Sequence, residues 1–379
     1  MIMEKRYVFS APGRTEISGN HTDHQCGCVL AAAVDLETVA DVRLNGTNVI
    51  RVQSQGYPDI AVDLNDLSVR EEEKNTTAAL IRGVAAAFVQ RGARLQGFDA
   101  AVRSTVLPGS GLSSSAAFEV LFATILNELF FEKKLTAVEI AKVGQFAENV
   151  YFGKPCGLMD QMASSVGGLV YMDFEDPEKP LIEKIDFDLA KAGYALCIID
   201  SGADHADLTE EYAAIPRELK EVCKFFGKDV LRQIPEEEFL KALPELRKHA
   251  SDRAILRAMH VYHENKRAKV QAAALRNEDL YVFFHLVRKS GYSSWMYLQN
   301  IFPAGSTLKQ DVALTLSLCD TILQGRGAYR VHGGGFAGTV QAFVPFDMLP
   351  RFQSEIENVL GEGKCHVLNI RSEGGIRIS

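Results

Sequence analysis

No apolar run in this 379-residue chain approaches the roughly 18 residues that cross a bilayer, and Met1 to Ser10 has no apolar core of the kind a secretory leader carries. A cytoplasmic protein with no membrane partner is therefore expected. Positive charge is also in short supply. With 41 Lys and Arg against 49 Asp and Glu the net charge is −8, which argues against a nucleic-acid partner and leaves room for a small polyanion in a local basic pocket. The seven cysteines are odd in number and mostly set in apolar stretches, so they suit reduced thiols in a core better than a disulfide framework. Internal repeats and low-complexity tracts are missing as well. What is present, 47% hydrophobic and 24% charged residues, suffices for two cores or one large one and excludes general disorder.

Two common nucleotide signatures are absent, yet one stretch is built to grip phosphate. LPGSGLSSSAAFEV, Leu107 to Val120, has no Gly-Lys-Ser/Thr to close a Walker A loop, and the sixth position of GSGLSS is Ser114 where a dinucleotide fold needs glycine. Pro108, Gly109 and Gly111 allow the tight and left-handed turns of a backbone curling around an anion. Ser110, Ser113, Ser114 and Ser115 add hydroxyls there, and an apolar helical run beginning at Ser115 places uncapped N–H groups beside them. Taken alone, the stretch is equally a glycine-rich strand-to-helix connection with a serine N-cap.

The first hundred residues alternate short apolar runs with turns at 28–34, 38–44, 49–53 and 60–64, which predicts antiparallel strands. Helices are expected over 76–90, 115–131 and 137–152, the second apolar nearly all round and hence buried. After strands near 169–174 and 195–200 the chain turns helical over 204–226, 236–250, 254–276 and 280–299. Strands return at 329–331, 338–344 and 365–370 around a helix at 346–360, a split β-α-β pattern. The polar stretch 173–180 is the expected junction between an N-terminal domain, 1–172, and a C-terminal domain, 173–379.

Two further segments carry chemistry. APGRTEISGNHTDHQCG, Ala11 to Gly27, packs Arg14, Glu16, Asn20, His21, Asp23, His24 and Gln25 between a starting strand and Cys28. So many hydrogen-bonding groups exceed what a turn needs, although Asn and Asp often satisfy their own backbone. A zinc site from His21, Asp23, His24, Cys26 and Cys28 is the other option, against which the ligand spacing counts. RVHGGGFAGTVQAFV, Arg330 to Val344, sets Gly333, Gly334, Gly335 and Gly338 before a strand, implying close approach of the backbone to another chain segment or to a ligand phosphate.

In order and spacing these segments, with CGLMDQ at Cys156 to Gln161 and RAMHVYHENKR at Arg257 to Arg267, resemble the GHMP kinase superfamily and within it the galactokinase family, nearly end to end. The resemblance implies an α+β fold of two domains, a ribosomal-protein-S5-like N-terminal one and a ferredoxin-like C-terminal one. It also implies ATP-dependent phosphorylation of a sugar hydroxyl with Mg2+, in a monomer or weak dimer. By the same resemblance Asp160 is the catalytic aspartate and Arg14 the cation beside it. Ser115 and Glu148 are the magnesium ligands, and Asn20, His21, Asp23, Gly157 and Tyr212 contact the sugar. Pro108 to Ser115, including Leu112, hold ATP together with Gly334 and Gly335. Galactokinases usually read G-E-H-T-D-Y, whereas this chain has Gly19, Asn20, His21, Thr22, Asp23 and His24. Loss of a carboxylate worth about 4 kcal/mol of repulsion at 4 Å in a dielectric near 20 makes a uronic acid admissible beside galactose. Retention of the fold as a sugar sensor is a second reading, and a related isoprenoid or homoserine kinase a third.

Overall fold

The computed structural model describes residues 5–106, 111–154, 156–203 and 208–379. The alternating N-terminal runs form β1 (Arg6–Ser18), β2 (Cys28–Leu44), β3 (Val49–Ser54), β4 (Ile60–Asp63) and β5 (Phe98–Ser104), joined later by β6 (Leu169–Asp173) and β7 (Leu181–Ile185). The two strands expected at 28–34 and 38–44 are one 17-residue strand. Its first half pairs with β6 and its second with β5, so a single strand serves two neighbours in turn. Bulges interrupt the β1–β2 register between Pro12 and Arg14 and between Glu16 and Ser18. A proline with no N–H to donate is tolerated at such a break, which also re-aims the side chain that follows.

Four helices cover this sheet: α1 (Thr77–Gln90), α2 (Ser114–Phe130), α3 (Ala137–Phe146) and α4 (Met159–Val166). The Thr76 hydroxyl caps α1, and Thr136 with Glu139 forms a capping box on α3. As its all-round apolarity implies, α2 is buried, with Val120, Leu121 and Phe122 packed on Phe9, Val42 and Phe98 of the sheet. Each such side chain contributes roughly 1.5–3 kcal/mol of burial.

The second sheet contains β8 (Tyr194–Asp200), β9 (Ala328–His332), β10 (Thr339–Pro345) and β11 (Cys365–Leu368) in the order β11-β8-β10-β9. Every pairing in it is antiparallel, and numbered from its own first strand the order is 4-1-3-2, the ferredoxin-like arrangement. Inserted after β8 are α5 (Thr209–Phe225), α6 (Glu236–Leu246), α7 (Asp252–Arg276), α8 (Leu280–Ser293) and α9 (Asp311–Leu323), and α10 (Leu349–Leu360) precedes β11. The helices read as 137–152 and 280–299 end in π turns at Ala147–Phe152 and Ser294–Leu298. Sequence periodicity misses α9, β7 and α4, the last because CGLMDQMASSVGG reads as a polar patch.

The polar stretch after β6 does not leave the first sheet. It turns back into β7, which pairs with β6. The final strand, β12 (Ile376–Arg377), likewise returns to β1. A core lies where the two sheets meet: Ile17 and Leu30 of the first sheet pack with Leu196 and Phe343 of the second and with Ala268, Phe283 and Val287 of α7 and α8.

Candidate active site

Arg14 and Glu16 lie on β1, whereas the sequence alone places them in a loop, because the strand continues through its bulges to Ser18. Arg14 is buried, and its Nε and Nη2 each donate to Asp160 Oδ1 at 2.8 Å. Its Nη1 donates to the Gly111 carbonyl. Asp160 stands in the first turn of α4, where the helix dipole favours an anion, and its side chain keeps 30% of its surface open. Burial alone would raise this carboxyl. The Arg14 charge and hydrogen bond, helped by the Ser113 hydroxyl, outweigh it and hold the group ionised below the ordinary value.

The bend before α2 has the left-handed backbone its composition suggests, at Gly111 and Ser113, and the Leu112 carbonyl accepts from the Arg14 N–H at 3.0 Å. Pro108, Gly109 and Ser110 lie outside the described residues. Leu112 differs from the expected ligand-facing role through its side chain, which is fully buried in the core between the sheets. Ser113 sits at the N-cap but does not cap. Its hydroxyl donates to Asp160 Oδ2 at 2.8 Å, so it gives α2 no side-chain cap. Ser114 is exposed, and Ser115 donates to Glu148 Oε1 at 3.4 Å.

Behind Glu148 stand two residues to which sequence reasoning gave no role. Gln161 Nε2 donates to Glu148 Oε2 at 2.7 Å and to Glu119 Oε2 at 2.9 Å. Burial, then the Glu148 charge, pushes the Glu119 carboxyl well above its ordinary value. The available signal is a glutamate flanked by apolar residues in the first half of a nearly all-apolar helix, whose other glutamate, Glu128, stands near its end.

The sugar candidates separate into two groups. Asp23 opens a short 3-10 turn and faces Gly157 so closely that a Cβ there would lie 1.7 Å from Asp23 Oδ2. Gly157→Ala must therefore displace the Asp23 carboxylate. Loss of roughly 10²-fold in kcat/KM for the sugar, the scale of a 1 Å misplacement, is expected with KM for ATP unchanged, as steady-state kinetics would show. Burial, then the Asp160 charge, raises the Asp23 carboxyl to about 6. Between about pH 4 and pH 6 the folded chain thus holds a proton that the unfolded chain releases, so this group's contribution to stability falls as pH rises through that window. Calorimetry of Asp23→Asn is expected to show a Tm gain over the parent that grows from pH 4 to 6 and then stays level. The parent is expected to show an acid limb near pH 6 in kcat/KM for the sugar, and Asp23→Asn to lack it.

Asn20, His21 and Tyr212 face the glycine turn. Asn20 Nδ2 reaches the Gly333 carbonyl at 2.6 Å, His21 Nε2 lies 3.1 Å from the Gly334 carbonyl, and the Tyr212 hydroxyl donates to the Gly335 carbonyl at 2.8 Å. Burial, then the neighbouring His24, lowers His21 to about 3, so it is neutral. A Cβ on Gly334 would meet Tyr212 at 2.6 Å and one on Gly335 the Asn300 carbonyl at 2.2 Å. Close approach of other chain segments accounts for these glycines without a phosphate. Asn20 is also placed differently from a sugar contact: it is 1% exposed, and its amide is shared among Glu16, Gly333 and Asn300. Glu16 in turn pairs with buried Arg330 at 2.8 Å. The zinc grouping does not assemble. Cys28 Sγ accepts from Tyr171 and Arg232, and among the described residues no three His, Cys, Asp or Glu side chains are placed to hold a metal.

Comparison with known proteins bears on the fold and on two segments of the chain. Residues 79–168 match the GHMP kinases N terminal domain, and residues 3–44 match the galactokinase galactose-binding signature. The fold superimposes on Lactococcus lactis galactokinase, solved with galactose, at 25% identity and a TM-score of 0.82, covering 98% of this chain and 95% of that one. It also superimposes on the Lin0012 protein of Listeria innocua (14% identity, TM-score 0.73, 99% and 100% covered) and on Methanococcus jannaschii mevalonate kinase (13%, 0.68, 97% and 98%). Fold and N-terminal signature together define a small-molecule phosphotransferase of the GHMP class, whose members use ATP. Within that class the chain is a sugar kinase that carries the galactokinase galactose-binding signature.

Proposed function

We propose that this protein transfers the γ-phosphoryl group of ATP to the anomeric hydroxyl of a hexose, galactose first, yielding the sugar 1-phosphate and ADP. The observation that carries this reading is the Asp160 carboxylate, ionised and partly open, fixed between Arg14 and Ser113 at the head of α2 and close enough to Asp23 to raise its pKa. Asp160 accepts the proton of the sugar hydroxyl as its oxygen forms the new bond to phosphorus and ADP departs. Arg14 steadies the carboxylate and offsets charge on the moving group. The open first turn of α2 suits the phosphates of ATP.

The donor set at Ser115 and Glu148 fits Mg2+. Gln161 occupies Glu148 Oε2, leaving Oε1 beside the Ser115 hydroxyl and 3.8 Å from the exposed Lys154 Nζ, and two hard oxygens suit a cation that otherwise keeps its waters and phosphates. Magnesium bound there would neutralise phosphate charge. Galactose is preferred to a uronic acid because the arginines whose charge reaches His21 and Asp23 are already ion-paired. Arg14 is held by Asp160, Arg257 by Glu218 and Arg330 by Glu16, and buried Asn20 offers no free group to a sugar carboxylate. The test is ADP release from purified protein across neutral hexoses and uronic acids, with the product's phosphate located by NMR. Turnover of galactose with phosphate on C1 is expected, and sugar binding without ADP formation would favour a sensor instead.

A further inference from the structure

The loop from Gly19 to Gly27 carries His21 and Asp23, and two of its residues, His21 and Cys26, hold left-handed backbone conformations. Such a loop does not keep its shape unaided. It is gripped at both ends by one and a half turns of α7. His260 Nε2 lies 3.0 Å from the Asn20 carbonyl, so this nitrogen carries the ring proton and Nδ1 accepts from the Ser293 hydroxyl at 2.9 Å. Glu264 Oε1 accepts from Ser18 Oγ at 2.9 Å and from the Gly19 N–H at 3.1 Å, while Arg267 holds Oε2. Asn265 Oδ1 accepts from the Cys28 N–H at 2.8 Å, just past the loop's other end. His260 and Glu264 are wholly buried, and neither belongs to the chemistry proposed above.

We infer that His260, Glu264 and Asn265 are positioning residues for sugar recognition: they fix the backbone of the loop and so set where Asp23 stands relative to Asp160. This rests on the sugar role given to His21 and Asp23. The three bond to the Asn20 carbonyl, the Gly19 N–H and the Cys28 N–H, whereas the bend at 111–113 receives no bond from them. Sugar affinity should therefore respond to them and nucleotide affinity should not.

Asn265→Leu, at a partly exposed site where folding is least at risk, removes one anchor, and His260→Phe removes another within the same volume. Each is expected to raise KM for galactose about tenfold, the scale of one lost hydrogen bond, with KM for ATP within about twofold of the parent. Asn265→Asp keeps the accepting oxygen and is expected to restore the parent KM. Hydrogen exchange of the full chain without substrates gives an independent readout: amides of Gly19 to Cys28 should exchange faster in both variants, while those of Ser113 to Ala117 stay as in the parent. Parallel rises in both KM values, or unchanged exchange in the loop, would overturn the inference. Because exchange is read without sugar or ATP, it stands apart from the hexose screen, whose failure would sink the substrate assignment alone.

Discussion

Asp160→Asn is expected to lower kcat by about 10²- to 10⁴-fold, the usual worth of a positioned proton acceptor, while leaving ATP binding and most of the fold intact. The amide keeps an oxygen for Arg14 and a polar group for Ser113, so the geometry at the head of α4 survives, but it accepts no proton. The size of the loss tells two effects apart. With its pKa held below the ordinary range Asp160 is a weak base, and alignment of the attacking oxygen contributes more than proton affinity. The same low pKa means that ionisation of Asp160 adds no acid limb to kcat above about pH 5 in the parent. Rapid-quench and pH-rate measurements check both. Near-parental kcat in Asp160→Asn would remove this residue from the chemistry.

Arg14→Met is expected to cost more. The guanidinium is almost wholly buried and meets Asp160 with two nitrogens and the Gly111 carbonyl with a third. Removing a charge that stabilises a moving phosphoryl group costs about 10³- to 10⁵-fold in kcat in related chemistry. A second consequence concerns pH. Without the cation, burial is opposed by only the weaker Ser113 hydrogen bond and Lys154 charge, so the Asp160 pKa rises and activity, which needs the ionised form, is expected to fall off at a higher pH than in the parent. Arg14→Lys returns the charge but not the planar fork, and should recover only part of the rate. The double variant with Asp160→Asn should lose less than the two single losses multiplied, since each removes the same pair.

Much of this site was legible in the sequence because its parts lie in short dense segments. Arg14 and Asp160 are 146 positions apart, and only resemblance to a kinase family could pair them. The ladder of helices and the ferredoxin-like strands were readable from apolar periodicity and turn residues. What periodicity missed has physical causes. β1 runs through two bulges that disguise its alternation, and α4 starts with residues whose polarity serves Arg14, Glu119 and Glu148. Asn20 and the glycine turn looked like ligand contacts because polar and glycine residues mark ligand sites and buried junctions alike. Only coordinates reveal that the amide of Asn20 and the carbonyls of Gly333 to Gly335 satisfy one another and their chain neighbours.

Phenylalanines 283 and 343 sit in the same interior as Ile17 and Leu30, and this limits how the molecule moves. A kinase whose halves swing about a hinge would have to expose that oil with every turnover. Here such a swing would forfeit several large apolar side chains at roughly 1.5–3 kcal/mol apiece. Substrate capture is expected to proceed instead by small adjustments of loops around that shared interior. Heating should disrupt both halves together, in one calorimetric peak whose van't Hoff and measured enthalpies agree.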